Sequence, residues 1–291
     1  MVGPEDDRAR IALIRALGGE LADRYIGECL LPPLRALTNA ESSTKRAVRD
    51  ALSRGYPGLR AVLGLYAFSR RGKEKVQLSE LALTSLSRVT SDSDFLEFLT
   101  RADATPLLDE YEASCEEHGR RTALNPYGEV VAGLAELAQE AFFDCGAESI
   151  PVWIEECVRT TSRVEQVFVR LVSVRGIGPK VASLLLRDIV YLFDLEERID
   201  PVDRLYVQPI DKWIRLLAPR IICEPDVDLM ADWVLAGKFS KYCRRAGVSP
   251  ARANMGSSYL GFKLARAPEN LDRQIAQIVG KVSPLPSADV R

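Results

Sequence analysis

The stretch from Leu171 to Leu186, LVSVRGIGPKVASLLL, constrains the chain more than any other. Leu171 and Val174 close an amphipathic helical segment, Gly176 and Gly178 bracket one hydrophobe, and Pro179 opens a run of strong helix formers from Lys180 to Leu186. Proline suits the first turn of a helix, where its missing N–H has no partner to lose. Glycine turns the backbone tightly and lets another group approach with no Cβ in the way. The pattern predicts helix, two-glycine hairpin, helix, with Ala182 small enough for close helix packing. The N–H groups opening the second helix carry partial positive charge and suit an anion such as a phosphate. An ordinary αα-hairpin without a ligand satisfies the same pattern.

The rest of the chain points to an all-α fold. Hydrophobes recur at helical spacing over Arg8–Tyr25, Thr44–Ser53, Leu59–Ser69, Gln77–Arg88 and Asp94–Thr100. Thr105-Pro106 opens another helix, Asn125-Pro126 precedes a long one to Phe143, and Ile150-Pro151 and Thr161-Ser162 open two more. After the hairpin come Lys180–Phe193, a proline-containing loop over 196–210, Lys212–Leu217 ending before Pro219, Asp228–Arg245, Pro250–Arg266 and Leu271–Val282. Gly55-Tyr56-Pro57-Gly58 reads as a break, Gly256 and Gly261 as points of close helix packing, and the tail after Pro284 as disordered. No strand series or repeat appears.

Composition narrows the chemistry. Nearly half of the 291 residues are hydrophobic, enough for a packed core. No unbroken apolar span or signal-peptide pattern occurs, so a cytoplasmic protein without membrane contact is expected. Six cysteines, Cys29, Cys115, Cys145, Cys157, Cys223 and Cys243, form no Cys-x-x-Cys pair. That spacing argues against zinc or a closely spaced iron–sulfur cluster, leaving mostly buried free thiols and no metal or cofactor. The single histidine, His118, lies near a helix end, so histidine triads and multi-histidine metal sites are excluded. Any catalysis falls to Lys, Asp, Glu, Tyr or Cys. The net charge of −2 counts mildly against a nucleic-acid partner, but the placement of charge matters more. Arg163, Arg170, Arg175, Lys180 and Arg187 gather about the hairpin, while Arg60, Arg70, Arg71, Lys73 and Lys75 read as a solvated helix face.

Residues 171–186 resemble the helix-hairpin-helix DNA-binding motif at nearly every position, and their place deep in a helical chain resembles the helix-hairpin-helix DNA glycosylase superfamily. That superfamily includes the endonuclease III-like and 8-oxoguanine glycosylases. The resemblance covers roughly residues 125–265. It implies two helical subdomains flanking a cleft, here expected as residues 1–75 with 219–291 and residues 76–218. It also implies a catalytic Lys opening the hairpin's second helix, matched by Lys180, and an Asp opening a later helix. Pro209-Ile210-Asp211-Lys212-Trp213 fits the Asp pattern because a helical segment follows directly; Pro201-Val202-Asp203-Arg204 fits at a spacing nearer the usual one. Asp211 is preferred. Its longer separation from Lys180, and the lack of clustered cysteines, resemble the archaeal 8-oxoguanine glycosylases most closely.

The implied function is base-excision repair on double-stranded DNA by a monomer localised with the nucleoid. A damaged nucleotide is flipped from the stack, with an oxidised purine such as 8-oxoguanine favoured. Gly176, Ile177, Gly178 and Lys180 hold a phosphate without reading sequence. Asp211 stabilises the developing oxocarbenium charge, and Lys180 attacks C1′ to form a Schiff base that permits β-elimination. The other expectation is a non-enzymatic helix-hairpin-helix DNA-binding protein. Candidate base-stacking aromatics are Trp153, Trp213, Trp233, Tyr206, Tyr259 and Phe262, each equally at home in a core. The first hundred residues match no named pattern and are expected to complete the subdomains.

Overall fold

A computed structural model describes residues 4–69, 74–120 and 126–282. Its elements are α1 (Pro4–Ala16), α2 (Ala22–Tyr25), α3 (Leu31–Thr38), α4 (Lys45–Leu52), α5 (Gly55–Ala61), α6 (Lys75–Val89), α7 (Phe95–Thr100) and α8 (Thr105–Glu117). There follow α9 (Pro126–Cys145), α10 (Ile150–Thr161), α11 (Glu165–Ser173), α12 (Pro179–Leu192), α13 (Lys212–Ile221), α14 (Asp232–Arg245), α15 (Pro250–Tyr259) and α16 (Leu271–Val282). Wider π-helical turns extend several of these, over Ile26–Leu30, Val62–Ala67 and Leu260–Ala265, and the chain kinks at Gly19 between α1 and α2. The protein is all-α, with no strand among the described residues. No described helix is long and apolar enough to cross a membrane.

Local sequence sets most helix starts. Thr44, Ser149, Asp211 and Ser249 sit in non-helical conformation and accept N–H bonds from the first turns of α4, α10, α13 and α15. Several boundaries differ from expectation, among them the start of α14 at Asp232 in place of Asp228. Gly55-Tyr56-Pro57-Gly58 opens α5 instead of breaking a helix, because Pro57 falls in a first turn that needs no N–H from it. Thr161 and Ser162 end α10, with Ser162 left-handed at φ 58°, and start nothing. Helix α13 runs through Pro219 to Ile221, held by burial of Leu217, Ala218 and Ile221.

The chain divides into two compact units, residues 1–29 with 210–291, and residues 30–209. Residues 30–75, expected in the first unit, belong to the second because α4 and the Val62–Ala67 turn pack on α12 and α5 packs on α10. In the first unit Leu13, Ile14, Leu17, Trp213, Leu217, Phe239 and Leu260 share one core. Helix α15 lies against Leu17–Leu21 so closely that a Cβ on Gly256 would fall on the Leu17 carbonyl, and one on Gly261 would enter the Trp213 ring. Close packing at both glycines therefore fixes this helix. The second unit carries the hairpin. Its α12 is mostly buried, with Val181, Ala182, Leu185, Leu186 and Ile189 in the core.

Only Cys115 and Cys243 of the cysteines are buried. Cys145 and Cys223 are exposed, contrary to expectation, and all six are free. His118 closes α8, its Nδ1 at 2.8 Å from the Ser114 carbonyl. Arg70, Arg71, Lys73 and the tail after Pro284 lie outside the described residues.

Candidate functional site

Helix α11 ends at Ser173, and the Ile177 N–H donates to the Val174 carbonyl at 3.0 Å, closing a four-residue turn. Gly176, third in that turn, has φ 89°, a left-handed value at which any side chain is strained. Ile177 is buried at 4 % exposure and plugs the hairpin into the core. Its N–H is spent inside the turn, which removes Ile177 as a phosphate donor. Gly178 then caps α12 with no side chain to satisfy the first-turn N–H groups. No acceptor among the described residues takes the N–H of Gly178 or Lys180. This start of α12 differs from those of α4, α10, α13 and α15, each closed by a side chain.

Lys180 is half-buried in the first turn of α12 and makes no hydrogen bond or ion pair among the described residues. The arginines expected beside it are differently placed. Arg187 is fully buried and forks onto Asp188 at 2.9 and 2.8 Å, and Tyr66 donates to the other Asp188 oxygen at 3.1 Å. It belongs to the core and not to a basic surface, because its turn of α12 faces inward. Arg170 pairs with Glu140, Arg175 with Glu129, and Arg163 with Asp203 and Glu165. The charge cluster read from the sequence is thus largely neutralised.

The two candidate carboxylates have separate tasks. Asp203 is 1 % exposed, and one of its oxygens accepts from Arg163 Nε at 2.8 Å, Val164 N at 2.8 Å and Glu165 N at 3.1 Å. It caps α11 from a distant part of the chain. Burial alone would push its carboxyl up; the Arg163 guanidinium and the two backbone N–H groups outweigh burial and hold it below the ordinary carboxylate range. Asp203 is thereby committed to the fold. Asp211 is half-buried at the N-terminus of α13 in the other unit, and its Oδ1 accepts from Trp213 N at 2.8 Å and Ile214 N at 2.9 Å. Its Oδ2 has no protein donor among the described residues.

Of the aromatics, Trp213 and Tyr259 are core residues, Trp153 and Tyr206 are half-buried, and Trp233 and Phe262 are 67 % and 57 % exposed. Phe262 meets Trp213 edge-on, and Lys212 lies over the Trp213 ring. Among the described residues no group of three or more His, Cys, Asp or Glu side chains could hold a metal ion.

One expectation is overturned and one feature escaped the sequence. Lys75, expected on a solvated helix face, opens α6 half-buried, and burial pushes its ammonium below the ordinary value. Its helical spacing from buried Leu78, Ser79 and Ala82 carries the signal, since all share one stripe. Gln208 is 2 % exposed, with neither side-chain polar atom partnered among the described residues. Its place in a proline-flanked loop gives no sequence signal. No protein-family model matches the chain, and comparisons with curated proteins and with solved structures give no match.

Proposed function

We propose that this protein is a DNA-repair glycosylase with AP-lyase activity, of the helix-hairpin-helix superfamily, that excises a damaged base, favoured to be an oxidised purine, from double-stranded DNA. The observation that carries it is Lys180, a half-buried amine with no ionic partner among the described residues. It stands in an uncapped first turn entered through the Gly176–Gly178 hairpin. In this role the N–H groups of Gly178 and Lys180 take a DNA phosphate, as an uncapped helix start favours. The Lys180 amine forms a bond to C1′ as the C1′–base bond breaks, and the base leaves with the electron pair of that bond. Loss of a proton from nitrogen and opening of the sugar ring give the Schiff base. Removal of a C2′ proton then expels the 3′ phosphate by β-elimination. Asp211 faces the developing positive charge with its unpartnered oxygen, while its other oxygen is pinned by the first turn of α13. Lys180 lies in the unit of residues 30–209 and Asp211 in the unit of residues 1–29 with 210–291.

The uncapped helix start equally supports a non-enzymatic duplex clamp. Strand nicking of a duplex carrying one abasic site decides between them. Wild type nicks and Lys180→Ala does not, while duplex binding largely survives in the variant. Binding with no nicking by wild type leaves the clamp or a glycosylase without lyase activity, and a base-excision assay separates those.

A further inference from the structure

Helix α9 carries Glu129, Gly133, Glu136 and Glu140, spaced four, three and four apart, so they share one face. Glu129, Gly133 and Glu136 of that face line a cleft of about 390 Å³ whose other side is Arg170, Ser173, Val174 and Arg175, the segment leading into the hairpin. Gly133 permits the approach, since a Cβ there would lie 2.9 Å from Val174 Cγ1. Arg175 donates to Glu129 across the cleft, and beside it Arg170 Nε donates to Glu140 at 2.9 Å and its Nη1 to Ser173 Oγ at 2.7 Å. Glu136 has no ionic partner among the described residues. Both arginines remain accessible, with side chains 36 % and 74 % exposed. A carboxylate presents to a guanidinium the same acceptor chemistry as a phosphate oxygen.

We propose that Glu129 and Glu140 act as an autoinhibitory latch, internal phosphate mimics that hold Arg175 and Arg170 until DNA displaces them. The inference rests on the hairpin being a duplex-backbone contact. Binding then exchanges two glutamate partners for two phosphates, which lowers affinity and restricts tight binding to duplexes that engage the hairpin fully.

The test is duplex affinity against salt for wild type, Glu129→Gln/Glu140→Gln and Glu136→Gln, using a duplex with one abasic site. Exposed ion pairs are worth a factor of about two to five each, so the double variant binds about tenfold tighter at low salt. Its plot of log affinity against log salt steepens by up to about two, near 0.9 for each phosphate contact that is no longer offset by a freed glutamate taking up a cation. Glu136→Gln, which removes a charge from the same face without freeing an arginine, leaves that slope unchanged. The tenfold gain disappears when Arg170→Gln and Arg175→Gln are added. A gain equal to that of Glu136→Gln, or one that persists without the arginines, overturns the latch and leaves the duplex contact standing. Duplex binding that is absent in both wild type and the double variant overturns the latch and the duplex contact together.

Discussion

Replacing Asp203 with asparagine isolates one carboxylate charge, because the shape is kept and the acceptor position survives. In the native protein a single oxygen takes three hydrogen bonds, two from the backbone N–H groups opening α11 and one from Arg163. Bonds to an ionised acceptor contribute about 1.5–3 kcal/mol each, roughly twice those to a neutral one. Arg163 is 41 % exposed, so solvent screens its share, and the backbone bonds dominate. Halving two such bonds predicts a loss of about 2 kcal/mol, or about 4–8 °C in Tm for a unit of this size. Asp203→Ala strands both N–H groups and costs more, about 3–5 kcal/mol. The sign with pH follows from the depressed carboxyl. Its stabilisation is complete above the unfolded value, about 3.9, and is lost as pH falls through the lower folded value. The gap between wild type and Asp203→Asn is therefore constant near neutrality and closes in acid. Thermal melts by circular dichroism from neutral pH down to about pH 3 measure both. Equal melting of the two proteins near neutrality, or a gap that widens in acid, would refute the assignment of Asp203 to the fold.

Arg187→Met leaves Asp188 buried without its guanidinium partner and destabilises by about 3–5 kcal/mol in a urea titration. Pairing it with Asp188→Leu recovers most of that loss. Gly256→Ala forces a Cβ onto the Leu17 carbonyl and costs about 1–3 kcal/mol by the same titration, while the exposed Gly280→Ala costs nothing comparable.

Much of the fold was legible because its signals are local. Apolar spacing reports the helices, and Thr44, Ser149, Asp211 and Ser249 each cap a helix that begins at the next residue. Gly176 and Pro179 likewise take the positions their backbone preferences dictate. What failed depends on partners distant in sequence. Arg187 counts as a surface cation until its turn of α12 is seen to face Tyr66, more than a hundred residues earlier. Asp203 resembles a catalytic carboxylate until α11 is seen to need a cap. The unit boundary at 29/30 is set by which helices the following segment packs against, and no local composition marks it. Glu129 and Glu140 carry a readable helical spacing, but only the placement of α9 beside Arg170 and Arg175 gives that stripe a partner.

The proposed covalent bond between the Lys180 amine and DNA is tested most directly by borohydride trapping on a duplex with a single abasic site, because reduction converts a Schiff base into a permanent cross-link. A protein–DNA cross-link with wild type that is absent with Lys180→Ala is the expected result. No cross-link with wild type, or one that persists in Lys180→Ala, would contradict the assignment.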